Sequence, residues 1–304
     1  MKKKKIETIN ESAPPMGIKV IAREFKKDKA ALFALALLIV LLLTIFIGAM
    51  FFNQDDVMTV SIFDKYAAPG TTAIDGRYYF LGADEGGRDV LGQLFIGARN
   101  SVIIGFAITI ITSIIGVGIG IISGYYGGVI DNVLMRIVDF VMILPTMLII
   151  IVLVTIIPKY NVWSFVVIMS AFYWVGKARL FRSKTLSEAR RDYVSASKTM
   201  GTSDFKIMFF GVMPNLSSLI ITNLTINFAG NIGIETTLSF LGFGLPASVP
   251  SLGTLIGYAS NGVVLSDYPW VWIPASLLIL VLMLSINYVG QALKRSADAR
   301  QRIG

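Results

Sequence analysis

Few residues of this chain have side chains that could carry out chemistry. Its 304 residues include no histidine and no cysteine, which excludes disulfides, thiol nucleophiles and imidazole-based acid–base catalysis. The sequence contains no recognisable metal-ligand cluster or nucleophile–base set, so we predict no catalytic residue, no metal and no cofactor bound by this chain. The ionisable side chains of most interest are Asp139 and Glu235, which lie in or beside long apolar stretches.

The composition indicates a polytopic membrane protein. Hydrophobic residues make up 55% of the chain and charged residues 15%, whereas an ordinary soluble domain is about 25% charged. A net charge of +8 could suit a nucleic-acid-binding protein. Long uncharged runs separate the basic clusters, however, so we expect no nucleic-acid partner. The predicted fold class is an all-α polytopic membrane protein.

Apolar runs of the right length for membrane spans recur along the chain. A bilayer core about 30 Å thick is crossed by roughly 20 apolar residues of helix. We predict six transmembrane helices, at about residues 30–52, 100–130, 133–157, 162–176, 207–234 and 270–293. The stretch 235–267 is also poor in charge, but its glycines and prolines favour a re-entrant or short interfacial helix over a seventh span.

The distribution of Lys and Arg predicts the orientation of these spans. With alternating loops, most of the 27 Lys and Arg residues fall on one side, which is the cytoplasmic side in membrane proteins. That side contains the basic N-terminal segment 1–29, the segment 177–206 and the tail 294–304. Both termini are therefore predicted to be cytoplasmic, and the long segment 53–98 is predicted to be extracytoplasmic.

The charged segment 177–210 has the most informative pattern. Residues at helical spacing form one stripe, namely Ala189, Tyr193, Ala196 and Met200. Gly201 is suited to end this helix in the left-handed conformation, and 202–204 offers N-cap side chains to a second helix that Pro214 interrupts. A helix held to anionic lipid at the inner leaflet and a projection offered to a cytoplasmic partner both fit this pattern.

Several stretches resemble one family of membrane proteins. Ser195-Ala196-Ser197, Gly201 and Pro214 follow the spacing of the coupling-loop motif in permease subunits of ABC importers. The preceding Tyr193-Val194 resembles the variant found in dipeptide, oligopeptide and nickel permeases. Residues 82–91 and 235–244 are similar to two further signatures of that branch. From about residue 20 to the C-terminus, the chain resembles the C-type transmembrane subunit of a peptide importer.

The resemblance implies a fold, a set of partners and a domain organisation. It implies the six-helix type I importer permease fold, paired with a second homologous permease and served by an extracytoplasmic peptide-binding protein. Two cytoplasmic ATPases would bind ATP and Mg, since this chain has no phosphate-binding Gly-x-x-x-x-Gly-Lys-Ser/Thr sequence. The first transmembrane helix, 30–52, would precede an extracytoplasmic segment, 53–98, and a permease core, 99–293. The expected location is the cytoplasmic membrane of a prokaryote.

The same resemblance assigns the ATPase-coupling role to helices at 189–208. The residues expected to take part are Tyr193, Ser195, Ala196, Ser197, Met200, Gly201 and Pro214. Among these, Tyr193, Ala196 and Met200 are expected to face a groove on the ATPase.

Other residues keep two interpretations each. Glu235 could line the substrate path or a gate, or it could cap the backbone of the re-entrant turn. The charged stretch 84–89 could form a docking surface for the binding protein, or it could be a solvated and self-paired loop. The residues concerned are Asp84, Glu85, Arg88 and Asp89. Close helix packing, within the chain or with the partner permease, is predicted for Gly116, Gly120 and Gly124. Arg136 and Asp139 are three residues apart and are predicted to pair with each other.

The substrate and the transport class keep alternatives as well. A permease subunit for nickel or another small solute is the alternative to peptide transport. A self-sufficient secondary transporter is a more remote alternative, because such a carrier would need buried acids in several spans. An integral-membrane enzyme is disfavoured by the lack of histidine, cysteine and any recognisable catalytic set.

Overall fold

The computed structural model describes residues 18–246 and 248–298 and is mostly helical. The predicted segment 1–29 is therefore described only from residue 18, and the predicted tail 294–304 only to residue 298; the rest of both lies outside the described residues. Helix α1 covers Ile18–Phe25, and α2 covers Lys29–Ala49. Asp28 caps α2 by accepting hydrogen bonds from the N–H groups of Ala30 and Ala31.

A small folded unit follows α2. It contains α3 (Gln54–Val57), a 3-10 turn at Ile62–Asp64 and an antiparallel hairpin of β1 (Thr71–Thr72) and β2 (Tyr78–Tyr79). Tyr79 is fully buried, and its hydroxyl donates a hydrogen bond of 2.8 Å to the carbonyl of Gly87. The predicted extracytoplasmic segment is therefore folded against the rest of the chain.

Helix α4 is the longest element of the structure. It covers Val90–Tyr126, or 37 residues, and at 1.5 Å per residue it is about 55 Å long. The helix that contains the predicted second span, 100–130, thus begins about ten residues before that span and inside the predicted extracytoplasmic segment, 53–98. The helix begins earlier because Asp89 caps it, accepting hydrogen bonds from the N–H groups of Leu91 and Gly92.

Three pairs of helices are bent at short breaks. Helices α5 (Gly128–Ile143) and α6 (Thr146–Ile156) meet at 78°, next to Pro145, and α7 (Val162–Phe172) and α8 (Val175–Glu188) meet at 42°. After α9 (Asp192–Thr199), the third pair consists of a short helical run over Asp204–Asn215 and the long helix that follows it.

The short run contains α10 (Asp204–Lys206), a π-helix (Ile207–Val212) and α11 (Met213–Asn215). It meets α12 (Ser217–Phe240) at 66°. Helices α9 and α10 are called the cytoplasmic helix pair here, after the side that the sequence predicts for them. The predicted fifth span, 207–234, starts directly after this pair, and the long helix itself starts ten residues later.

The C-terminal third begins with short elements, as its glycines and prolines predicted. These are α13 (Leu252–Gly257), a 3-10 turn at Tyr258–Ser260, α14 (Gly262–Asp267) and a 3-10 turn at Pro269–Val271. Helix α15 then covers Ile273–Asp298. Within the described ranges, three helices are long and apolar enough to cross a membrane, or up to six if each bent pair is one span.

Helix α4 packs against α8 through a stripe of glycines. A Cβ atom built on Gly116 would lie 2.7 Å from the Cβ of Lys177, and one on Gly120 would lie 2.7 Å from the carbonyl oxygen of Ala178. At Gly124 the corresponding distance to the carbonyl oxygen of Arg182 is 2.6 Å. The three glycines therefore allow the two backbones of this chain to touch.

This contact predicts a position-specific effect of one methyl group. We expect Gly120→Ala to destabilise the protein by about 1–3 kcal/mol, because its Cβ would collide with backbone rather than with a movable side chain. Gly118→Ala is the matched control, since a Cβ at Gly118 meets nothing within 4 Å. The thermal unfolding midpoint of each detergent-solubilised variant measures the effect. Equal midpoints for the two variants would contradict the close approach.

Candidate functional site

The turn between the two short cytoplasmic helices has the geometry that its glycine predicted. The Gly201 N–H bonds to the carbonyl of Lys198, and the Thr202 N–H bonds to the carbonyl of Ser197, each at 3.0 Å. These two bonds form a Schellman motif, with Gly201 at a φ of +77°. A Cβ on Gly201 would meet nothing within 4 Å, so glycine is required for its conformation and not for space.

The second helix of the pair is irregular around its proline. Pro214 has no N–H, and the segment before it is π-helical, with the Met213 N–H bonded to the carbonyl of Met208. Asn215 donates a side-chain hydrogen bond of 3.1 Å to the carbonyl of Gly211. The helix then bends by 66° into α12, two residues after the proline. The predicted N-cap residue, Ser203, makes no side-chain cap bond.

The predicted coupling residues divide into an outer and an inner group. Ser195 and Ala196 are exposed, and Met200 is 77% exposed. Two aromatic residues that the sequence did not single out, Phe205 and Phe210, are 61% and 76% exposed. Exposed apolar side chains on short helices of a charged segment are typical of a protein-binding surface.

Tyr193 does not belong to that outer group. It is half-buried, its hydroxyl donates to Glu188 at 3.2 Å, and its ring lies beside Gly211 of the π-helix. Burial raises the pKa of the Tyr193 hydroxyl, which keeps it a hydrogen-bond donor. In this structure Tyr193 is directed toward Glu188 and the π-helix, and its expected contact with an ATPase groove stays a prediction. The buried stripe of α9 instead passes through Val194, which is 1% exposed.

Ser197 is likewise turned inward, donating to the carbonyl of Tyr193 at 2.8 Å. The two side chains line a cavity of about 370 Å³ between α9 and the π-helix. The cytoplasmic helix pair thus has an outer apolar surface and an inner face that packs on the membrane helices.

Two ion pairs that join different membrane helices were not predicted from the sequence. Asp139 pairs with Arg179 of α8 instead of with Arg136. Asp131 of α5 pairs with Arg182 of α8 and also accepts from Ser123 of α4. The sequence spacing suggested a pair within one helix, whereas the close approach of α4 and α8 brings partners from different helices together.

A buried lysine also went unnoticed in the sequence. Lys177 is 4% exposed and donates to the hydroxyl of Thr112 across the α4–α8 contact. Among the described residues, no group of three or more His, Cys, Asp or Glu side chains could hold a metal ion.

Glu235 is fully buried at the outer end of α12 and accepts a hydrogen bond of 2.8 Å from Ser239. Its other carboxyl oxygen, Oε2, has no hydrogen-bond partner among the described residues. The first turn of α13 is held by two serine hydroxyls, with the Leu252 N–H bonded to Ser101 and the Thr254 N–H bonded to Ser251. Both interpretations of Glu235, the gate and the cap, stay predictions.

Two of the four predicted docking residues, Asp84 and Arg88, belong to a polar network in the segment that is predicted to be extracytoplasmic. Asp84 is fully buried and pairs with Arg88 at 3.1 Å. It also accepts from Gln93 at 2.9 Å and from the hydroxyl of Tyr258 at 3.1 Å. Asp84 therefore lies inside the protein, where a docking partner has no access to it.

Asp89 is withdrawn from the surface as the cap of α4, and burial raises the pKa of its carboxyl. Glu85 is the acidic residue of the four that is exposed, and it pairs loosely with Lys65 at 3.4 Å. The expected docking surface therefore does not include Asp84, and the docking role of the other three residues stays a prediction. The sequence placed four charges together but could not reveal that Tyr258, far along the chain, binds Asp84 and Arg88.

Asp84 and Glu85 are adjacent in the chain and provide a matched test of the buried network. We expect Asp84→Asn to destabilise the extracytoplasmic segment by about 2 kcal/mol or more, because hydrogen bonds to a charged acceptor contribute about 1.5–3 kcal/mol each. Glu85→Gln should change stability by less than about 1 kcal/mol, since its ion pair is exposed. Proteolysis of this segment in membrane vesicles measures both. Equal cleavage rates for the two variants would show that the Asp84 network is not stabilising.

The fold and the site together define a polytopic helical membrane protein that presents a short helix pair to one side. A model of the binding-protein-dependent transport system inner membrane component family matches residues 116–303, and a model of the N-terminal transmembrane domain of oligopeptide transport permease C matches residues 18–69. The chain belongs to the family of binding-protein-dependent transport system inner membrane components.

Curated relatives are similar over nearly the whole length. The chain is 53% identical over 281 residues to the oligopeptide transport system permease protein OppC of Lactococcus lactis subsp. cremoris, covering 92% of this chain and 94% of the relative. It is 36% identical to the oligopeptide transport system permease protein AmiD of Streptococcus pneumoniae, covering 93% and 89%. It is 34% identical to the dipeptide transport system permease protein DppC of Haemophilus influenzae, covering 73% and 74%.

Proposed function

We propose that this chain is a membrane-spanning permease subunit of an ABC importer that carries oligopeptides or dipeptides across the cytoplasmic membrane of a prokaryote. The observation that carries this function is the similarity, over 92% of the chain, to a permease of an oligopeptide transport system. Relatives at lower identity belong to oligopeptide and dipeptide systems. This set of relatives favours peptides over nickel or another small solute.

The proposed assembly contains several chains. A second homologous permease completes the pore, two cytoplasmic ATPases hold ATP and Mg, and an extracytoplasmic protein delivers the peptide. Counting each bent pair as one span gives six, and the Lys and Arg distribution then puts both termini and the helix pair in the cytoplasm. The exposed apolar side chains of Met200, Phe205 and Phe210 support this orientation, because an ATPase on the cytoplasmic side would cover them.

The proposed mechanism is mechanical for this subunit. ATP binding and hydrolysis move the ATPases, and the docked helix pair α9–α10 follows as a rigid body. Its inner face packs on the core through Val194, Ile207 and Val212, which are almost fully buried with Ile121 of α4 and Phe181 of α8. A closely packed interface transmits displacement because its compressibility is low.

A self-sufficient carrier is the less favoured alternative. A proton-coupled carrier would require buried ionisable groups that can change charge along a path. Asp131 and Asp139 pair with arginines of α8, and Glu235 is fully buried with a hydrogen bond from Ser239. A single buried acid without a charged partner among the described membrane helices does not form a relay.

The assembly is tested by purification from native membranes. We expect a second permease and ATPase chains to co-purify with this chain, and ATP hydrolysis by the complex to drive peptide uptake in liposomes. Peptide uptake by this chain alone would overturn the proposal.

The coupling role of the helix pair is tested at Gly201. Alanine and tryptophan there share the conformational cost of a positive φ, about 1–2 kcal/mol, but only tryptophan adds bulk to the exposed turn. We expect Gly201→Trp to lower the amount of co-purified ATPase at least about tenfold, corresponding to 1.4 kcal/mol of lost binding, while Gly201→Ala retains it. Full ATPase recovery with Gly201→Trp would place docking elsewhere.

A further inference from the structure

We propose that Tyr125 is a positioning residue that links both helices of the cytoplasmic pair to α4, so that displacement of the pair moves α4. This inference rests on the proposed function, because it concerns how movement of an ATPase reaches the membrane helices. The sequence pattern gave no indication of a role for Tyr125.

Tyr125 is the second-to-last residue of α4 and is 7% exposed. Its hydroxyl donates a hydrogen bond of 2.6 Å to the carboxylate of Asp204, the first residue of α10. The ammonium nitrogen of Lys198, near the end of α9, lies 4.5 Å from the centre of the Tyr125 ring. One side chain therefore contacts both helices, on either side of the Gly201 turn.

These two contacts differ in kind from most of the interface with α4. The surrounding contacts are mainly apolar, including those of Ile121, Val194 and Ile207, and the hydrogen bond from Tyr193 to Glu188 reaches α8 and not α4. Apolar contacts are non-directional and can slide, whereas a hydrogen bond to a carboxylate and a cation over a ring each require a particular geometry. Tyr125 therefore fixes the position of the helix pair along α4, which apolar packing alone would leave adjustable.

Helix α4 is suited to carry the displacement further. Its glycine stripe brings its backbone against that of α8, so the two helices are expected to move together. At the opposite end, Asp89 caps the helix and Gln93 donates to buried Asp84 of the extracytoplasmic segment. A single uninterrupted helix thus joins the cytoplasmic contact to the outer face of the protein.

The test compares two neighbouring tyrosines. Tyr125→Phe keeps the ring beneath Lys198 and removes the hydroxyl that binds Asp204. Tyr126→Phe is the matched control, since Tyr126 is 46% exposed and packs edge-on against the Tyr125 ring. Each variant is purified as the complete complex, reconstituted with its binding protein in liposomes, and assayed for uptake of a radiolabelled peptide mixture and for phosphate release.

The decisive quantity is the amount of peptide imported per ATP hydrolysed. We expect Tyr125→Phe to lower this ratio about tenfold, as loss of a hydrogen bond to a charged acceptor allows, with the amount of co-purified ATPase unchanged. Asp204→Asn should lower it in the same direction. Asp204→Asn weakens the hydrogen bond by removing the charge of the acceptor, and Tyr125→Phe removes the bond. Because both changes act on one interaction, the double variant should be no worse than Tyr125→Phe alone. Tyr126→Phe should couple as the unmodified complex does.

Three results would overturn the role of Tyr125. They are an unchanged ratio in Tyr125→Phe, an equal loss in Tyr126→Phe, and a loss in the double variant equal to the product of the two single losses. If Tyr125 were merely structural, import and hydrolysis would fall together and the ratio would stay constant. Failure of the proposed function is distinguishable, because the unmodified complex would then lack ATPases or would hydrolyse ATP without importing peptide.

Discussion

Backbone contact between α4 and α8 is the constraint on which the other features of this protein depend. Gly116, Gly120 and Gly124 lie where any side chain would strike the neighbouring helix. The approach brings Lys177 next to Thr112 and lets Arg182 reach Asp131 of a third helix. It also gives the cytoplasmic helix pair a two-helix surface to rest on, since its buried residues contact both α4 and α8.

The environment of each charged group in this protein determines which polar partners hold it. Within the membrane helices, Asp131 and Asp139 pair with arginines of α8, whereas buried Lys177 and Glu235 are bonded to hydroxyls. In the extracytoplasmic segment, the one fully buried acid, Asp84, has several donors around it. Buried charges are costly unless they are paired and hydrogen-bonded, so these networks report where the chain must hold a fixed geometry.

Much of this architecture could be predicted from local sequence. The apolar runs, the glycine end of α9 and the breaker-rich segment 235–267 were recognised because each depends on neighbouring residues. Several features escaped because they depend on distant ones. The start of α4 follows from a cap at Asp89, the partner of Asp139 comes from α8, and Tyr193 is bonded to Glu188 of α8.

Aromatic residues of the C-terminal third cover the segment that is predicted to be extracytoplasmic. This contact bears on the order in which parts of the chain can fold. Tyr258 binds the Asp84 carboxylate, and Tyr268 stacks on Tyr66 with ring centres 3.9 Å apart. Trp270 lies against Gly82. Domains generally fold as the ribosome delivers them, but Asp84 and Tyr258 are 174 residues apart in the chain. This segment therefore cannot complete its fold until most of the chain has been translated.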